Sequence, residues 1–256
     1  MIFESHAHYE DARFDEDRTA LLELLPKRNI SHVINVGSTI ETSKASLDLA
    51  QQYSYIYAAL GVHPSEIDCF NEAGIAWLAE HAQDPNVVAI GEIGLDYYWD
   101  KEKEVQLRQK KCFLEQLSLA REVSLPVIIH SRDAAADTME ILKDAAKQGT
   151  RAVVHCYSYS YEMAKEYLRL GFFIGIGGVV TFKNSHKMQE VVREIPLERI
   201  LIETDSPYLA PEPFRGQRND STYLPYVIQE IAKLRGISEE EVMQQTSENA
   251  IEFFGV

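Results

Sequence analysis

Short apolar runs rich in β-branched residues recur along the chain, each followed by a longer segment of helical periodicity. The runs are Ile2–Phe3, His32–Val36, Ile56–Leu60, Val87–Ile90, Pro126–Ile129, Arg151–Val154, Phe172–Ile176 and Ile200–Ile202. Each is nearly continuous and bounded by Gly, Pro, Asp or Ser, as expected of strands buried on both faces. Between them lie DRTALLELLPKRN, KASLDLAQQY, EVQLRQKKCFLEQLSLAREV, DTMEILKDAAKQG and YEMAKEYLRLG. The last two end in Gly after a basic turn, a helix C-terminal signature.

Alternating strand and helix implies a parallel sheet. Eight such units in 256 residues, 256/8 = 32 per unit, predict an α/β fold of the (β/α)8 TIM-barrel type. A doubly wound open sheet is the alternative, but no G-x-G-x-x-G follows any strand. After the eighth run come LPYVIQEIAKLRG and SEEEVMQQTSENAIEFFG, with Ser238 and Glu241 at capping-box spacing. Residues 1–256 therefore read as a single domain with extra C-terminal helices.

Composition narrows the function classes. The chain is 45% hydrophobic with 13 Gly and 9 Pro, ordinary for a folded protein. Its 25 Lys+Arg against 40 Asp+Glu give −15, which disfavours coating nucleic acid by charge alone. Cys69, Cys112 and Cys156 are too few and too scattered for a disulfide framework or a zinc cage. MIFESHAHYE has neither a basic n-region nor an apolar h-region, and no apolar stretch is long enough to span a bilayer. The expectation is a cytoplasmic protein with reduced cysteines, no membrane association and no obligatory protein partner.

The metal-capable side chains change the picture. His6 and His8 close the first strand signal, His63 follows the third, Glu92 the fourth, His130 the fifth, His155 the sixth and Asp205 the eighth. All are expected at the C-terminal ends of strands, where the active sites of such barrels are built. Of 8 histidines only His32, His81 and His186 lie elsewhere. His6 and His8 are two apart and share a strand face. Four imidazoles and two carboxylates suffice for two divalent ions about 3.5–4 Å apart, with Glu92 able to bridge them, an arrangement that activates water and clamps a phosphoryl or acyl oxygen. Asp205, touching both metal and water, is positioned to take the proton as general base. Imidazole-rich ligation suits zinc or manganese, and phosphate chemistry often uses Mg²⁺.

Each residue also has a plainer reading. Single strand-end histidines are usually hydrogen-bonded structural residues; it is their convergence that points to a cation. Cys156, next to His155, is expected to face away on the strand and be structural. Glu4 and Glu203, each two residues from a proposed ligand, read either as carboxylates orienting an imidazole or as buried salt-bridge partners. Tyr97, Tyr98 and Trp99 read either as a substrate-stacking platform or as an aromatic loop packed on the rim.

ESHAHYE, GVHPSE, GEIGLDYY, PVIIHSRDA, VVHCYS, GFFIGIGG and IETDSPYLAP, in this order, resemble the signatures of the TatD-type metal-dependent hydrolases over nearly the whole chain. The resemblance implies a (β/α)8 barrel with divalent metal and 3′–5′ exonuclease or DNase activity on single-stranded DNA. It implies that His6, His8, Glu92 and Asp205 hold one ion and Glu92, His130 and His155 the other, with His63 facing substrate phosphate. Two departures stand out. Glu4 replaces the family's usual Asp before (Ser/Thr)-His, and the loop after the eighth strand ends in Asp220-Ser221 in place of Glu-Pro. Arg215 and Arg218 in that loop read as phosphate contacts, or as structural salt bridges.

The expected activity is metal-dependent cleavage of phosphodiesters at a single-stranded DNA or RNA 3′ end, or of a small phosphate-bearing substrate, with Asp205 and Glu92 catalytic. The alternatives are an amidohydrolase acting on a cyclic amide, lactone or phosphoester, whose relatives often bridge the ions with a modified Lys where this chain has Glu92, and a non-enzymatic metal-binding interaction module.

Overall fold

The computed structural model describes residues 1–256. Its strands are β1 (Ile2–Ala7), β2 (Ile30–Val36), β3 (Ile56–Leu60), β4 (Val87–Asp96), β5 (Val127–Arg132), β6 (Ala152–Val154), β7 (Phe173–Ile176) and β8 (Ile200–Ile202). They belong to one eight-stranded sheet in the order β1 to β8, with parallel ladders. Helices α1 (Arg18–Leu24), α2 (Ile40–Gln52), α3 (Glu72–His81), α4 (Lys103–Glu122), α5 (Ala135–Lys147), α6 (Tyr161–Arg169) and α7 (His186–Glu194) alternate with the strands. Two more, α8 (Leu224–Arg235) and α9 (Glu239–Phe254), follow β8. Sequence-order parallel strands with intervening helices define the (β/α)8 class.

Beyond shifts of one or two residues, four expected elements differ, and the first is β1, which runs on past its apolar pair to Ala7. DRTALLELLPKRN is not one helix: α1 stops at Leu24 and a 3-10 turn covers Leu25–Arg28, because Pro26 lacks the amide that would continue it. Asn29, left-handed at φ 68°, ends that turn. β4 and β5 also run further than their apolar runs, to Asp96 and Arg132. Glu92 and His130 therefore lie within strands and not beyond their ends. Strand length was underestimated because polar residues there serve the site and break the apolar pattern.

Contacts group the chain into two compact units. The first holds Met1–Asn35, Cys156–Arg169 and Phe173–Val256. Here β1 adjoins the segment that follows β8 through a parallel bridge between Ala7 and Ser206. The His8 amide donates to the Ser206 carbonyl (2.8 Å) and the Asp205 amide to that of His6 (3.0 Å). The C-terminal helix is part of this core: Phe254 stacks on Phe3 at 5.8 Å and Phe253 lies 5.3 Å from Phe173. Burying each such ring contributes roughly 1.5–3 kcal/mol. Ser238 caps α9 by accepting from the Glu241 amide, and buried Asn249 donates to the Leu197 and Ile200 carbonyls where β8 begins.

The second unit holds Val36–His155 and Leu170–Phe172. All ten residues of β4 are buried. Its register with β5 shifts between Ile90 and Ile93. Gly94 sits at φ +147°, and a Cβ there would lie 1.9 Å from the His130 carbonyl oxygen, so backbone and not a flexible side chain blocks it. Gly149, at φ +85° with nothing within 4 Å, needs glycine for its dihedral alone. Gly94→Ala is expected to destabilise the protein by about 3 kcal/mol or more, and Gly149→Ala by about 1 kcal/mol. Urea titration of the two variants measures the difference; equal losses would contradict the close approach.

Candidate functional site

In the first unit, His6 ends up inside β1 and His8 one residue beyond it, with Asp205 three residues past β8. Asp205 is left-handed (φ 57°), a conformation costing a non-glycine residue about 1 kcal/mol. It is held there by its amide on the His6 carbonyl and by the Tyr208 amide on its own carbonyl (2.9 Å). The result is a tight triad. His6 Nε2 and His8 Nε2 are 3.1 Å apart, and they lie 3.8 and 3.5 Å from Asp205 Oδ1. Ligands about 2.1 Å from one divalent ion are themselves separated by roughly 3.0–3.4 Å; the two imidazoles stand at that spacing and Asp205 Oδ1 slightly beyond it, so a small side-chain shift brings the three donors onto one ion. His6 is fully buried, and His8 is 8% exposed.

Glu4 and Glu10 flank the triad. Glu4 is fully buried; Oε1 accepts the backbone amides of His6 (3.1 Å) and Thr204 (2.9 Å), and Oε2 accepts the Ser221 hydroxyl (2.9 Å). It neither orients an imidazole nor forms a salt bridge: it ties the backbone of β1 to the segment after β8. Burial pushes its carboxyl up to about 7, against the pull of those donors. Glu10 stands 3.6 Å from His8 Nδ1 and accepts from Asn35 Nδ2 at 2.7 Å. Burial opposes charge on His8, but the carboxylates of Asp205 and Glu10 raise it well above the usual imidazole value. Buried Glu203 accepts the Cys156 amide. Cys156 lies in a turn beyond β6 at φ 43°, so strand alternation does not set its direction as the sequence suggested.

The second unit builds its cluster around Glu92, which is 4% exposed. Glu92 Oε1 lies 2.7 Å from His130 Nδ1, 2.6 Å from His155 Nε2 and 3.7 Å from His63 Nε2. His155 Nε2 is 3.4 Å from His130 Nδ1. Burial works against ionised Glu92, yet the imidazoles of His155, His63 and His130 hold its carboxyl well below the ordinary value. A divalent cation replaces imidazole protons in such a set, so Glu92, His130 and His155 also fit an ion. His63 differs. Its Nδ1 accepts the Ser65 amide at 3.1 Å, which leaves the proton on Nε2, facing Glu92. Burial and the neighbouring His130 push it down to about 3, so it is neutral and a donor at that atom.

Asp96, which sequence reasoning missed, is 1% exposed. Its Oδ2 lies 3.1 Å from His130 Nε2, and its Oδ1 accepts the amides of Tyr98 and Trp99 at 2.9 and 3.2 Å. It therefore fixes which nitrogen of His130 is left for Glu92 or a metal. Asp96 is four residues from Glu92 and Glu10 two from His8, even offsets of the kind that placed Glu4 and Glu203; that parity was the available signal.

The remaining predicted residues lie apart. Arg218 makes a two-pronged pair with Asp17, at 2.7 and 2.6 Å, and donates to the Arg13 carbonyl at 2.9 Å. Arg215 is exposed, its guanidinium 4.3 Å over the Phe182 ring. His32 stacks on Phe3, His81 stacks on Trp77, and His186 opens α7, all structural positions.

Fold and donor sets define a metal-dependent hydrolase of the (β/α)8 class. The family described as TatD related DNase matches residues 3–255. An uncharacterized metal-dependent hydrolase of Bacillus subtilis, YabD, is 41% identical over 257 residues, covering 100% of both chains. The 3′-5′ ssDNA/RNA exonuclease TatD of Cronobacter sakazakii is 31% identical over 259 residues, covering 99% of this chain and 97% of its own. The solved structure of YJJV, a TatD homologue from Escherichia coli K12, superposes with a TM-score of 0.93 at 32% identity, covering 100% of this chain and 98% of that one. The chain belongs to the TatD family. No helix is long and apolar enough to cross a membrane.

His130 carries a pH signature. Burial disfavours its charge, but Asp96 and Glu92 raise it from 6.5 to about 9. A raised imidazole stabilises the fold fully below about pH 6.5 and loses that contribution as pH climbs through about 9. His8 acts in the same direction, and His63, neutral across this window, is silent. Protein stripped of divalent ions with EDTA is expected to lose urea resistance from pH 6.5 to 9, and His130→Asn to flatten that slope. A slope unchanged by the substitution would place the proton elsewhere.

Proposed function

We propose that the protein hydrolyses phosphodiesters at the 3′ end of single-stranded DNA or RNA with the help of two divalent ions, one at each donor cluster. The observation that carries this is the convergence of the His6, His8 and Asp205 donor atoms within 3.8 Å of one another, close to the spacing of ligands on one ion. His6, His8 and Asp205 would hold one ion, and Glu92, His130 and His155 the other. Mg²⁺, Mn²⁺ and Zn²⁺ all suit oxygen and imidazole donors. Bound divalent ions would supply positive charge to the developing phosphorane oxygens and acidify a water.

The residues of the chain do the rest. The Asp205 carboxylate, 17% exposed within the triad, accepts the proton of the attacking water. Glu92, kept ionised, balances the charge at its cluster. His63 Nε2–H donates to a phosphate oxygen. Arg215, whose guanidinium carries no carboxylate partner, is the phosphate contact of the loop after β8, while Arg218 clasps that loop to Asp17. The exonuclease activity named for the Cronobacter relative supports the same substrate class.

Incubation of a labelled single-stranded oligonucleotide with the protein and each ion in turn tests this, with mononucleotide release as the readout. Asp205→Asn is expected to lower kcat at least about 10²-fold while the thermal melt stays cooperative. No release with any ion, alongside turnover of a lactone or amide panel, would overturn the reading. A fully active Asp205→Asn variant would overturn the role of general base.

A further inference from the structure

The turn after β4 exposes two large rings. Trp99 is 67% exposed and Tyr98 43%, on a chain whose other tryptophan, Trp77, is stacked 4.2 Å from His81. The two rings meet edge to face, centroids 4.7 Å apart at 86°. Arg132, the last residue of β5, sets its guanidinium 4.0 Å over the Tyr98 ring and 5.6 Å from that of Trp99. Exposed Lys101 and Lys103 follow, interleaved with Glu102 and Glu104, so the positive charge set against the rings is that of Arg132.

The patch is also rigid. Asp96 Oδ1 accepts the amides of both Tyr98 and Trp99, and the Tyr97 amide donates to the Arg132 carbonyl at 2.8 Å. The Tyr97 hydroxyl donates to Asp137 at 2.8 Å, and Gln109 donates to Asp100 at 2.9 Å. The other oxygen of Asp96 meets His130 Nε2. One carboxylate thus holds the backbone of the rings and a candidate metal ligand together. Rings kept in water by such bracing are ordered before any ligand arrives, which lowers the entropy cost of capturing one.

We propose that Tyr98, Trp99 and Arg132 form a stacking platform for an unpaired nucleobase of the strand whose phosphate is cut; this rests on the phosphodiesterase reading above. The occupant follows from the chemistry. Exposed aromatic faces beside a guanidinium stack with any base. Asp96 ties this surface to His130, so a base seated here belongs to the strand held at the second cluster. The platform favours a single strand over a duplex, whose bases are already stacked, and it does not select sequence.

The probe is a phosphorothioate-linked single-stranded decamer, resistant to cutting, in Mn²⁺, in two forms: fully base-bearing, and abasic at its last two 3′ positions. In a Trp77→Phe background the remaining tryptophan emission belongs to Trp99. The base-bearing strand is expected to quench it and the abasic strand to leave it unchanged. Trp99→Ala is expected to weaken binding of the base-bearing strand about tenfold, as one lost stacking contact does, and that of the abasic strand less than twofold. Trp99→Phe is expected to restore most of the affinity, separating stacking from a folding defect. Equal affinity and equal quenching for the two strands, or no quenching by either, would overturn the platform. The phosphodiesterase reading fails on a different result, the absence of mononucleotide release from an ordinary strand.

Discussion

Burying a carboxylate costs several kcal/mol unless donors surround it, and this chain buries four: Glu4, Glu92, Asp96 and Glu203. How each is satisfied organises most of what lies around it. Glu4 takes two backbone amides and a hydroxyl, and in doing so fixes the distance between β1 and the segment carrying Asp205. Asp96 takes two amides on one oxygen and an imidazole on the other. Glu92 takes imidazoles.

The identity of the donor separates scaffolding from chemistry. A backbone amide cannot leave or exchange its proton for a metal, so Glu4 is committed to holding the chain. It can do so even though its carboxyl is pushed up to about 7, because a protonated Glu4 still fits beside the Ser221 hydroxyl. An imidazole, by contrast, gives up its proton to a cation at little cost, so Glu92 with its histidines is a site that can be loaded. Asp96 belongs to both kinds at once. Its amide bonds shape the Tyr98–Trp99 turn while its free oxygen chooses the His130 tautomer. Two residues around the ligands, Asp205 and Cys156, are left-handed without being glycine, and both are tied by backbone amides to the same frame.

The fold was legible because its strands are short, apolar and evenly spaced. So was the gathering of candidate ligands, because five histidines fall at matching positions after those runs. What the sequence hid were the partners of those ligands. Asp96 sits in GEIGLDYY and looks like a strand-terminating Asp, because the apolar run seems to end at Ile90. Only the continuation of β4 to residue 96 brings it onto the face of Glu92. By parity Glu4 reads as orienting an imidazole or as a buried salt-bridge partner, but its carboxylate takes two backbone amides and Ser221 instead. Arg218 reads in the sequence equally as a phosphate contact or a salt-bridge member, because Asp17, its partner, is distant in the chain. Pairings across some two hundred residues leave no local trace.

The net charge of −15 acquires a different meaning once these groups are placed. Acidic side chains gathered as candidate ion ligands would be neutralised by bound divalent ions, and the local sign would reverse. The rest of the excess stays on the surface, where it repels a long polyanion. Free cations near the candidate chemistry are few: Arg132 with its two rings, Lys101 and Lys103 behind them, and Arg215 over Phe182. Contacts so sparse cannot grip an extended duplex by counterion release, and two of the four cations are paired with aromatic faces and not with other cations. Arg132 with the Tyr98 and Trp99 rings gains more from flat π systems than from added phosphates. On the phosphodiesterase reading proposed above, that chemistry suits a short, unstacked strand end held by its bases as much as by its charge.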